Sequence, residues 1–329
     1  MDTIKKTGDM KRSDIIGELS TFIRKQGILE NLMQTKKAEL GVGPDQLVFV
    51  GTADMAEYFW CAEKSILKSR LQEVRFFESY LFDRIVYSFD LGRLNNLPND
   101  HNELLSIGDD ISQPDIEVLL RENKVEEPDD EILQSKVAKE GIWLTLGVIN
   151  GVHYVIGFPD EIAREMNMNM SDTEVREVVF VNSIDDPALP PKLRGVVGED
   201  AYAEKYPSIR WNFNFGKYIM VGTPDGITDD FVYEFKTTKN KYLERFIKPV
   251  AETQADLYGH FFGRGEKRVQ IREYESGKIF TYQTEVNRQR VKQVYDGFQS
   301  IDEGKEAIPP KAWKCKKCEF ELVCPISQG

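Results

Sequence analysis

A strand-like stretch over residues 218–238 is interrupted by charged residues, of which Asp225, Glu234 and Lys236 stand in a chemically suggestive order. Short runs of β-branched and aromatic residues lie on either side of a Pro-Asp-Gly turn signal, which predicts two neighbouring strands. Side chains alternate along a strand. Glu234 and Lys236 therefore share one face, opposite an aromatic face that we expect to be the core side. Asp225 can join them from the end of the preceding strand.

This trio suits metal-dependent hydrolysis of a phosphodiester bond. Two carboxylates can hold Mg²⁺ and leave positions for water and a phosphate oxygen. The metal activates the water, and a lysine beside it stabilises the charge that develops on the phosphate. An exposed hairpin edge carrying ordinary Asp, Glu and Lys side chains produces the same short pattern. These residues alone leave both interpretations open.

Composition and charge describe a globular chain with an uneven distribution of bases. The 329 residues are 41% hydrophobic and 30% charged, enough for two domains or one elaborated domain. Residues 201–329 hold 21 lysines and arginines against 18 acidic residues, whereas residues 1–200 hold 22 against 37. Basic clusters in the second part can meet phosphates. With no apolar signal segment or membrane-length run, we expect a cytoplasmic protein without membrane contact.

Four cysteines form a second group with chemical potential. Cys315, Cys318 and Cys324 have the spacing C-x2-C-x5-C, and Cys61 is the other cysteine of the chain. Cytoplasmic cysteines rarely form disulfides, and thiolates so spaced predict a zinc site or an iron–sulfur cluster. We expect Cys61 to lie inside a helix that Thr52 caps and to supply the fourth ligand.

Two further helices are predicted on either side of the charged strands. Residues 193–206 form one of them, with Glu199 and Glu204 as its acidic members. In residues 245–262, apolar and polar residues recur at i+4, so Gln254 and Tyr258 project together from one face. The other elements predicted are a helix or helix pair over residues 12–40, hairpins around residues 150–151 and 276–277, and a final helix over residues 288–298.

In their order along the chain these motifs resemble the RecB-like iron–sulfur nucleases of the PD-(D/E)XK superfamily. The residues that carry the resemblance are Tyr58 and Cys61, then Asp225, Glu234 and Lys236, then Gln254 and Tyr258, and finally the three late cysteines with Pro325. The resemblance extends to the CRISPR-associated RecB-type exonucleases and the AddB nuclease domain. It covers about residues 47–84 and 190–326.

The resemblance implies an α/β fold, a restriction-endonuclease-like mixed sheet flanked by helices, with a large insertion and an iron–sulfur clasp. It also implies cleavage of single-stranded DNA from an end with Mg²⁺ or Mn²⁺. Asp225 and Glu234 would be metal ligands and Lys236 the residue that positions the catalytic base. Gln254 and Tyr258 would support the active site. Cys61, Cys315, Cys318 and Cys324 would hold a structural 4Fe-4S cluster.

The chain departs from the family at one metal ligand. Where the family usually has a histidine on the helix before the strands, this chain has Glu199. Because glutamate is a competent ligand for hard metals, Glu199 is predicted to join Asp225 and Glu234. His101 and His153 are the rival candidates, in a polar loop and in a hairpin strand; His260 has no special claim.

The predicted organisation has five parts: an N-terminal helical segment (1–46), the cluster helix and start of the nuclease domain (47–84), an insertion with a β-hairpin (85–189), the nuclease core (190–306) and the cysteine motif (307–329). The first functional hypothesis is a DNA exonuclease in CRISPR spacer acquisition, with DNA and CRISPR integrase proteins as partners. A repair or recombination nuclease has the same chemistry. A metal-stapled DNA-binding protein with a silent nuclease site is the third hypothesis.

Overall fold

The computed structural model describes residues 12–94, 97–98, 100–122, 143–149, 152–157, 177–316 and 318–326. Its helices are α1 (Arg12–Gln26), α2 (Leu29–Glu39), α3 (Thr52–Ala56), α4 (Ala62–Asp90), α5 (His101–Ser106), α6 (Gln113–Glu122), α7 (Pro191–Tyr202), α8 (Lys241–Phe261), α9 (Arg288–Asp302) and α10 (Ala312–Cys315), with a 3₁₀ turn at Glu57–Phe59. Its strands are β1 (Phe49–Gly51), β2 (Trp143–Ile149), β3 (Val152–Gly157), β4 (Glu177–Val181), β5 (Trp211–Phe215), β6 (Tyr218–Gly222), β7 (Gly226–Ile227), β8 (Phe231–Thr238), β9 (Glu266–Glu273) and β10 (Ile279–Glu285).

The described strands form three sheets. One has the order β1-β6-β5, the second β10-β9-β8-β7 and the third β2-β3-β4. Each sheet combines parallel and antiparallel pairing: β1 with β6, β8 with β9, and β3 with β4 are the parallel pairs. The architecture is therefore mixed α/β with flanking helices, as the resemblance implied, although the described strands form three mixed sheets rather than one.

The sheet that contains β8 is covered by helices on both faces. On one face, Val232 packs in an apolar cluster with Ala251, Ala255 and Tyr258 of α8. On the other face α7 comes close, because a Cβ on Gly198 would lie 3.0 Å from a methyl of Thr237. A strand buried on both faces usually has a continuous hydrophobic sequence, whereas a strand buried on one face usually alternates. The sequence of β8 alternates, yet helices cover both of its faces.

Several predicted elements are present, with shifted ends. The helix predicted over residues 193–206 is α7, which ends at Tyr202 and leaves Glu204 outside. The N-terminal segment is the pair α1 and α2, separated at Gly27, whose φ of 61° suits glycine. The hairpin β9–β10 and the pair β2–β3 are antiparallel as expected. The turn predicted at residues 150–151 lies outside the described residues.

Helix α4 is continuous through the boundary predicted at residue 84. Its 29 residues run from Ala62 to Asp90, and Tyr87 near its end packs with Ile116 and Leu119 of α6 against the second sheet. Arg264, just after α8, also donates to both carboxylate oxygens of Glu117, at 2.9 and 3.0 Å. The start of the insertion thus packs on the same core as β8. Its division from the nuclease core stays a prediction.

No helix in the described part of the chain is both long and apolar enough to cross a membrane.

Candidate active site

The charged stretch divides between two sheets, contrary to the prediction that its strands are neighbours. β6 belongs to the first sheet, whereas β8 pairs with the two-residue strand β7 and with β9 in the second. The reason is the segment from Gly222 to Asp225, which carries the chain from one sheet to the other before β7 begins. Asp225 is therefore presented by a crossing loop, next to the first residue of β7.

Asp225 is held against β8 by a backbone hydrogen bond. Its Oδ2 accepts from the N–H of Phe235 at 2.7 Å. Phe235 lies between Glu234 and Lys236 in the strand, so this bond brings the Asp225 carboxylate to the two other charged residues. The predicted grouping of Asp225, Glu234 and Lys236 is present in the structure.

The face that carries Glu234 is buried, contrary to the expectation of a core only on the aromatic side. The Glu234 side chain is fully buried, because α8 covers its face of the sheet. One carboxylate oxygen, Oε1, accepts from Lys236, and the other, Oε2, has no hydrogen-bond partner among the described residues. Burial, together with the nearby Asp225 charge, raises the pKa of Glu234 well above its ordinary value, and Lys236 opposes the rise.

Lys236 extends from this buried carboxylate towards solvent. About 30% of its side chain is exposed, against 0% for Glu234. Burial favours the neutral amine, but the carboxylates of Glu234 and Asp225 outweigh it and raise the pKa of Lys236. The lysine is therefore a permanent cation at neutral pH, at the edge of the site.

Glu199 approaches the same group from α7. Burial and the Asp225 charge raise its pKa to about 7, and Lys236 acts in the opposite direction. A carboxylate pKa raised by another carboxylate indicates that the two charges lie close together. Glu199 thus lies within electrostatic reach of Asp225 and Lys236.

α8 closes the site with the two residues that its i+4 pattern predicted. Gln254 and Tyr258 are both buried, and the Tyr258 hydroxyl donates to the carbonyl of Thr223 at 3.0 Å. That hydroxyl also interacts with the side chains of Gln254 and Thr52. Burial, with the charges of Glu234 and Asp225, raises its pKa well above the ordinary value. A neutral hydroxyl therefore borders the acidic group.

Thr52 is a site neighbour that the sequence interpretation missed. It is the first residue of α3, with Gly51 in the N-cap position, and was predicted only as a cap. A Cβ on Gly222 would lie 2.5 Å from the Tyr258 hydroxyl and 2.7 Å from Thr52 Oγ1. Glycine at position 222 is thus required for this close approach. Nothing in the local sequence around Thr52 signals a contact 170 residues away.

Among the described side chains, no histidine is found in contact with this group. His101 begins α5, which packs on α2 and α4. His260 packs against the rings of Phe215 and Phe261. For His153 the structure describes the backbone, which pairs with Val148 and Val178 in the third sheet. Glu199, in contrast, interacts electrostatically with Asp225 and Glu234.

The donor set fits a hard divalent cation. Carboxylate oxygens are what Mg²⁺ and Mn²⁺ prefer, and a buried Glu234 oxygen without a partner is the kind of atom such a cation satisfies. Among the described residues, no three Asp, Glu, His or Cys side chains converge tightly enough to form a complete ion site. Mg²⁺ is commonly held by one or two carboxylates with several waters, so Asp225 and Glu234 can suffice.

The four cysteines line one cavity, together with Trp60, Lys64 and Lys314. None of them is in a disulfide. The prediction that Cys61 lies inside a helix is wrong. Cys61 has extended backbone (φ −163°, ψ 114°) in the N-cap position of α4. The reason is a break after the 3₁₀ turn Glu57–Phe59, which separates α3 from α4. Burial raises the pKa of the Cys61 thiol, and the three other cysteines add to the rise.

Comparison with known proteins adds no family to this description. No protein-family model matches the chain, and no curated protein matches it. Among solved structures, SSO0001 has 19% sequence identity and a TM-score of 0.32, covering 42% of this chain and 72% of its own. An alkaline exonuclease (LHK-Exo) from Laribacter hongkongensis has 15% identity and a TM-score of 0.27, with 36% and 71% covered. Scores this low carry no conclusion about this protein.

Proposed function

We propose that this protein is a nuclease that hydrolyses phosphodiester bonds of DNA with Mg²⁺ or Mn²⁺, acting on single-stranded ends. One observation carries the proposal. The Glu234 carboxylate is fully buried with an unsatisfied oxygen, beside Asp225 and Lys236. Burying a carboxylate without full compensation is costly, so such groups concentrate at functional sites.

Asp225 and Glu234 are the proposed cation ligands, with Glu199 as a third carboxylate at the edge of the site. A bound Mg²⁺ or Mn²⁺ would activate water and stabilise the negative charge of the phosphate. Burial and the Asp225 charge raise the pKa of Glu199 to about 7, and a bound cation would offset the contribution of Asp225. The buried position of Glu234 keeps that carboxylate fixed, which favours a preorganised site.

Lys236 is proposed to position the attacking water and to offset charge on the phosphate. Its ammonium group is held by Glu234 on one side and is partly exposed on the other. Tyr258 and Gln254 support this arrangement from α8: the tyrosine hydroxyl fixes the Thr223 carbonyl, two residues before Asp225. These two residues act by positioning the loop that carries Asp225.

We further propose that Cys61, Cys315, Cys318 and Cys324 hold a 4Fe-4S cluster with a structural role. The four sulfur ligands share one cavity and come from chain segments more than 250 residues apart. Four thiolate ligands suit either zinc or a 4Fe-4S cluster, and the sequence resemblance favours the cluster. The cluster would fasten the start of α4 to the C-terminal cysteine motif.

Digestion of end-labelled single-stranded DNA with Mn²⁺ tests the proposed activity. The wild-type chain is expected to shorten the labelled strand, and Glu234→Gln to lose this activity. Glu73→Gln is a matched control, because Glu73 is also a buried glutamate paired with a lysine, Lys37, at 2.7 Å. Equal inertness of wild type and Glu234→Gln at full cluster content would refute the nuclease. DNA binding without turnover would then favour the silent DNA-binding protein.

The cellular setting that we propose is CRISPR spacer acquisition, with CRISPR integrase proteins as partners. The support is the sequence resemblance to RecB-type exonucleases carried by the cysteines and the Asp225, Glu234 and Lys236 motif. A repair or recombination nuclease would have the same site. Gene neighbourhood separates the two settings: adjacent CRISPR integrase genes support the first, and their absence together with adjacent recombination genes contradicts it.

A further inference from the structure

Four aromatic rings form a connected surface beside the cysteine cavity. They are Trp60, Tyr242, Phe246 and Trp313, which we call the aromatic platform. Trp313 lies 5.7 Å from Trp60 and 5.3 Å from Phe246 between ring centroids, and Tyr242 lies 5.8 Å from Phe246. These distances and steep interplanar angles are typical of edge-to-face contacts. The platform therefore joins three separate parts of the chain: the residue before Cys61, α8 and α10.

The platform is open to solvent on one side. Tyr242 is 56% exposed and Trp313 is 38% exposed. Large aromatic side chains gain more than most residues from burial, so exposed and contiguous ones commonly mark a binding surface. The rings are also held in place by their mutual contacts and by Lys314, which donates to the Trp60 carbonyl at 2.7 Å. A rigid aromatic surface loses little conformational freedom when a ligand stacks on it.

Three cations surround the rings. The Arg245 guanidinium lies 4.0 Å from the Tyr242 centroid, and the Lys314 ammonium lies 4.2 Å from that of Trp60. Lys311 is 5.6 Å from the Phe246 centroid. No carboxylate in the described part of the chain forms an ion pair with any of these three.

Two lysines of α8, in contrast, do have carboxylate partners. Lys241 pairs with Glu244 at 3.0 Å, and Lys248 is 3.8 Å from Glu252. The protein as a whole is acidic, with a net charge of −12, so a local group of three cations without carboxylate partners stands out. Charge complementarity favours a polyanion, and the interleaved rings favour one with flat, unpaired bases.

The platform is continuous with the candidate active site through α8. Phe246 precedes Gln254 by eight residues, which is about 12 Å along a helix axis. Residues Phe246, Val250, Gln254 and Tyr258 follow one another at i+4, so they lie along one slowly turning stripe of the helix. The platform therefore begins about two helical turns from the buried residues that support the candidate active site.

We propose that the aromatic platform binds single-stranded DNA, stacking unpaired bases on Tyr242 and Trp313 and meeting the adjoining phosphates with Arg245, Lys311 and Lys314. Double-stranded DNA is a poorer ligand, because its base faces are already stacked and only its phosphates are offered. The proposal deepens the proposed nuclease by assigning where its substrate strand is held. DNA binding at the platform does not depend on whether the protein hydrolyses DNA.

Binding of a fluorescent oligothymidylate to the full chain tests this, measured by anisotropy in EDTA so that hydrolysis plays no part. Trp313→Ala and Tyr242→Ala are each expected to weaken binding by about five-fold to a hundred-fold, the range for losing one stacked base. Trp313→Phe keeps an aromatic face and is expected to retain most of the affinity. Leu40→Ala is the matched control, since Leu40 is an exposed apolar residue that follows α2 and lies outside the platform.

The phosphate contacts have a separate readout in the salt dependence. Arg245→Gln is expected to reduce the slope of log affinity against log salt by about 0.7, the value for one phosphate of a single strand. Lys192→Gln, at an exposed lysine of α7 outside the platform, is the control and leaves the slope unchanged. Thermal unfolding of every variant confirms that each is folded.

Unchanged affinity in both Trp313→Ala and Tyr242→Ala would overturn the platform, as would equal affinity for a duplex of the same length. Loss of binding in these variants, with no DNA hydrolysis by the wild-type chain, would support the platform and refute the nuclease. Hydrolysis by the wild type, with unaltered binding in the platform variants, would support the nuclease and overturn the platform. The two proposals can therefore fail separately.

Discussion

The Asp225 carboxylate accepts a hydrogen bond from the backbone N–H of Phe235 at 2.7 Å. This bond fastens a loop between two sheets to the middle of a buried strand. Because Phe235 separates Glu234 from Lys236, the bond determines where the first carboxylate stands relative to the other two charged groups. A backbone donor keeps its position when side chains are replaced, which makes the arrangement testable.

Asp225→Asn and Asp225→Ala should separate the structural role of Asp225 from its proposed chemical role. The asparagine oxygen can still accept from Phe235, so Asp225→Asn is expected to keep the wild-type stability, while Asp225→Ala loses about 1 kcal/mol of unfolding free energy. Both variants should lose Mn²⁺-dependent hydrolysis, because both lack the carboxylate charge. Urea denaturation and the digestion assay give the two readouts. Full activity in Asp225→Asn would exclude the carboxylate as a cation ligand.

Glu234→Gln should remove the response of protein stability to a divalent cation. In the wild type, Mn²⁺ at a hundred times its dissociation constant is expected to add about 2.7 kcal/mol to the unfolding free energy. The variant lacks the buried charge, so it should unfold at the same or a higher temperature without metal and show no rise with Mn²⁺. Differential scanning calorimetry measures both effects. An equal Mn²⁺ effect in both proteins would place the bound cation elsewhere.

Lys236→Met should be destabilising alone and much less so when combined with Glu234→Gln. Removing the ammonium leaves the buried Glu234 carboxylate beside Asp225 without its cation, at an expected loss of about 2 kcal/mol, since Lys236 is partly exposed. In the double variant no buried charge remains at position 234. A double-mutant cycle from urea denaturation gives the coupling energy. Additive losses would mean that Lys236 and Glu234 do not act as a pair.

The residues of the candidate site were largely predictable, whereas their surroundings were not. Alternation along β8 and the i+4 recurrence in α8 are local patterns, and they identify Glu234, Lys236, Gln254 and Tyr258. The switch between sheets at Gly222 to Asp225 depends on which strands pair, which local sequence does not determine. The same holds for the burial of Glu234, since it requires α8 to pack over an acidic face.

Long-range contacts also explain why the sequence predictions for Thr52 and Cys61 were wrong. The sequence from Thr52 to Cys61 has an uninterrupted helical pattern. The helical structure nevertheless ends before Trp60, whose ring packs against Trp313 and Phe246. Thr52 meets Tyr258 only because Gly222 leaves room for both. Tertiary packing here overrides the local helical preference. The start of the insertion packs on the core through Glu117 and Arg264, a contact with no signal in either segment.

Loss of any one cysteine is expected to remove the proposed cluster. The serine variants of Cys61, Cys315, Cys318 and Cys324 should each lose iron, acid-labile sulfide and visible absorbance. Glu319→Gln is the matched control, because Glu319 is exposed and lies next to Cys318 in the same motif. Iron and zinc are measured per chain by plasma emission spectroscopy. A colourless wild-type protein with zinc and without iron would contradict the cluster.

The ion pair between Glu117 and Arg264 should make the attachment of α6 sensitive to acid. The hydrogen bonds from Arg264 lower the pKa of Glu117 below its ordinary value. Its stabilising contribution is therefore fully present above the unfolded pKa, near 4.5, and is lost as the pH falls through the lower folded value. Glu117→Gln should lower the unfolding free energy by about 1 kcal/mol at pH 7 and by less at acidic pH. A loss independent of pH, measured by urea denaturation, would contradict an ionic origin.

The location of a bound cation shows directly whether Asp225 and Glu234 hold a metal. Anomalous diffraction at the manganese edge from crystals soaked in Mn²⁺ should show a peak between the carboxylates of Asp225 and Glu234, and the same map shows whether Glu199 joins them. This peak is expected to disappear in Glu234→Gln crystals soaked in the same way. A wild-type map with Mn²⁺ bound elsewhere and none at Asp225 and Glu234 would contradict the proposed site.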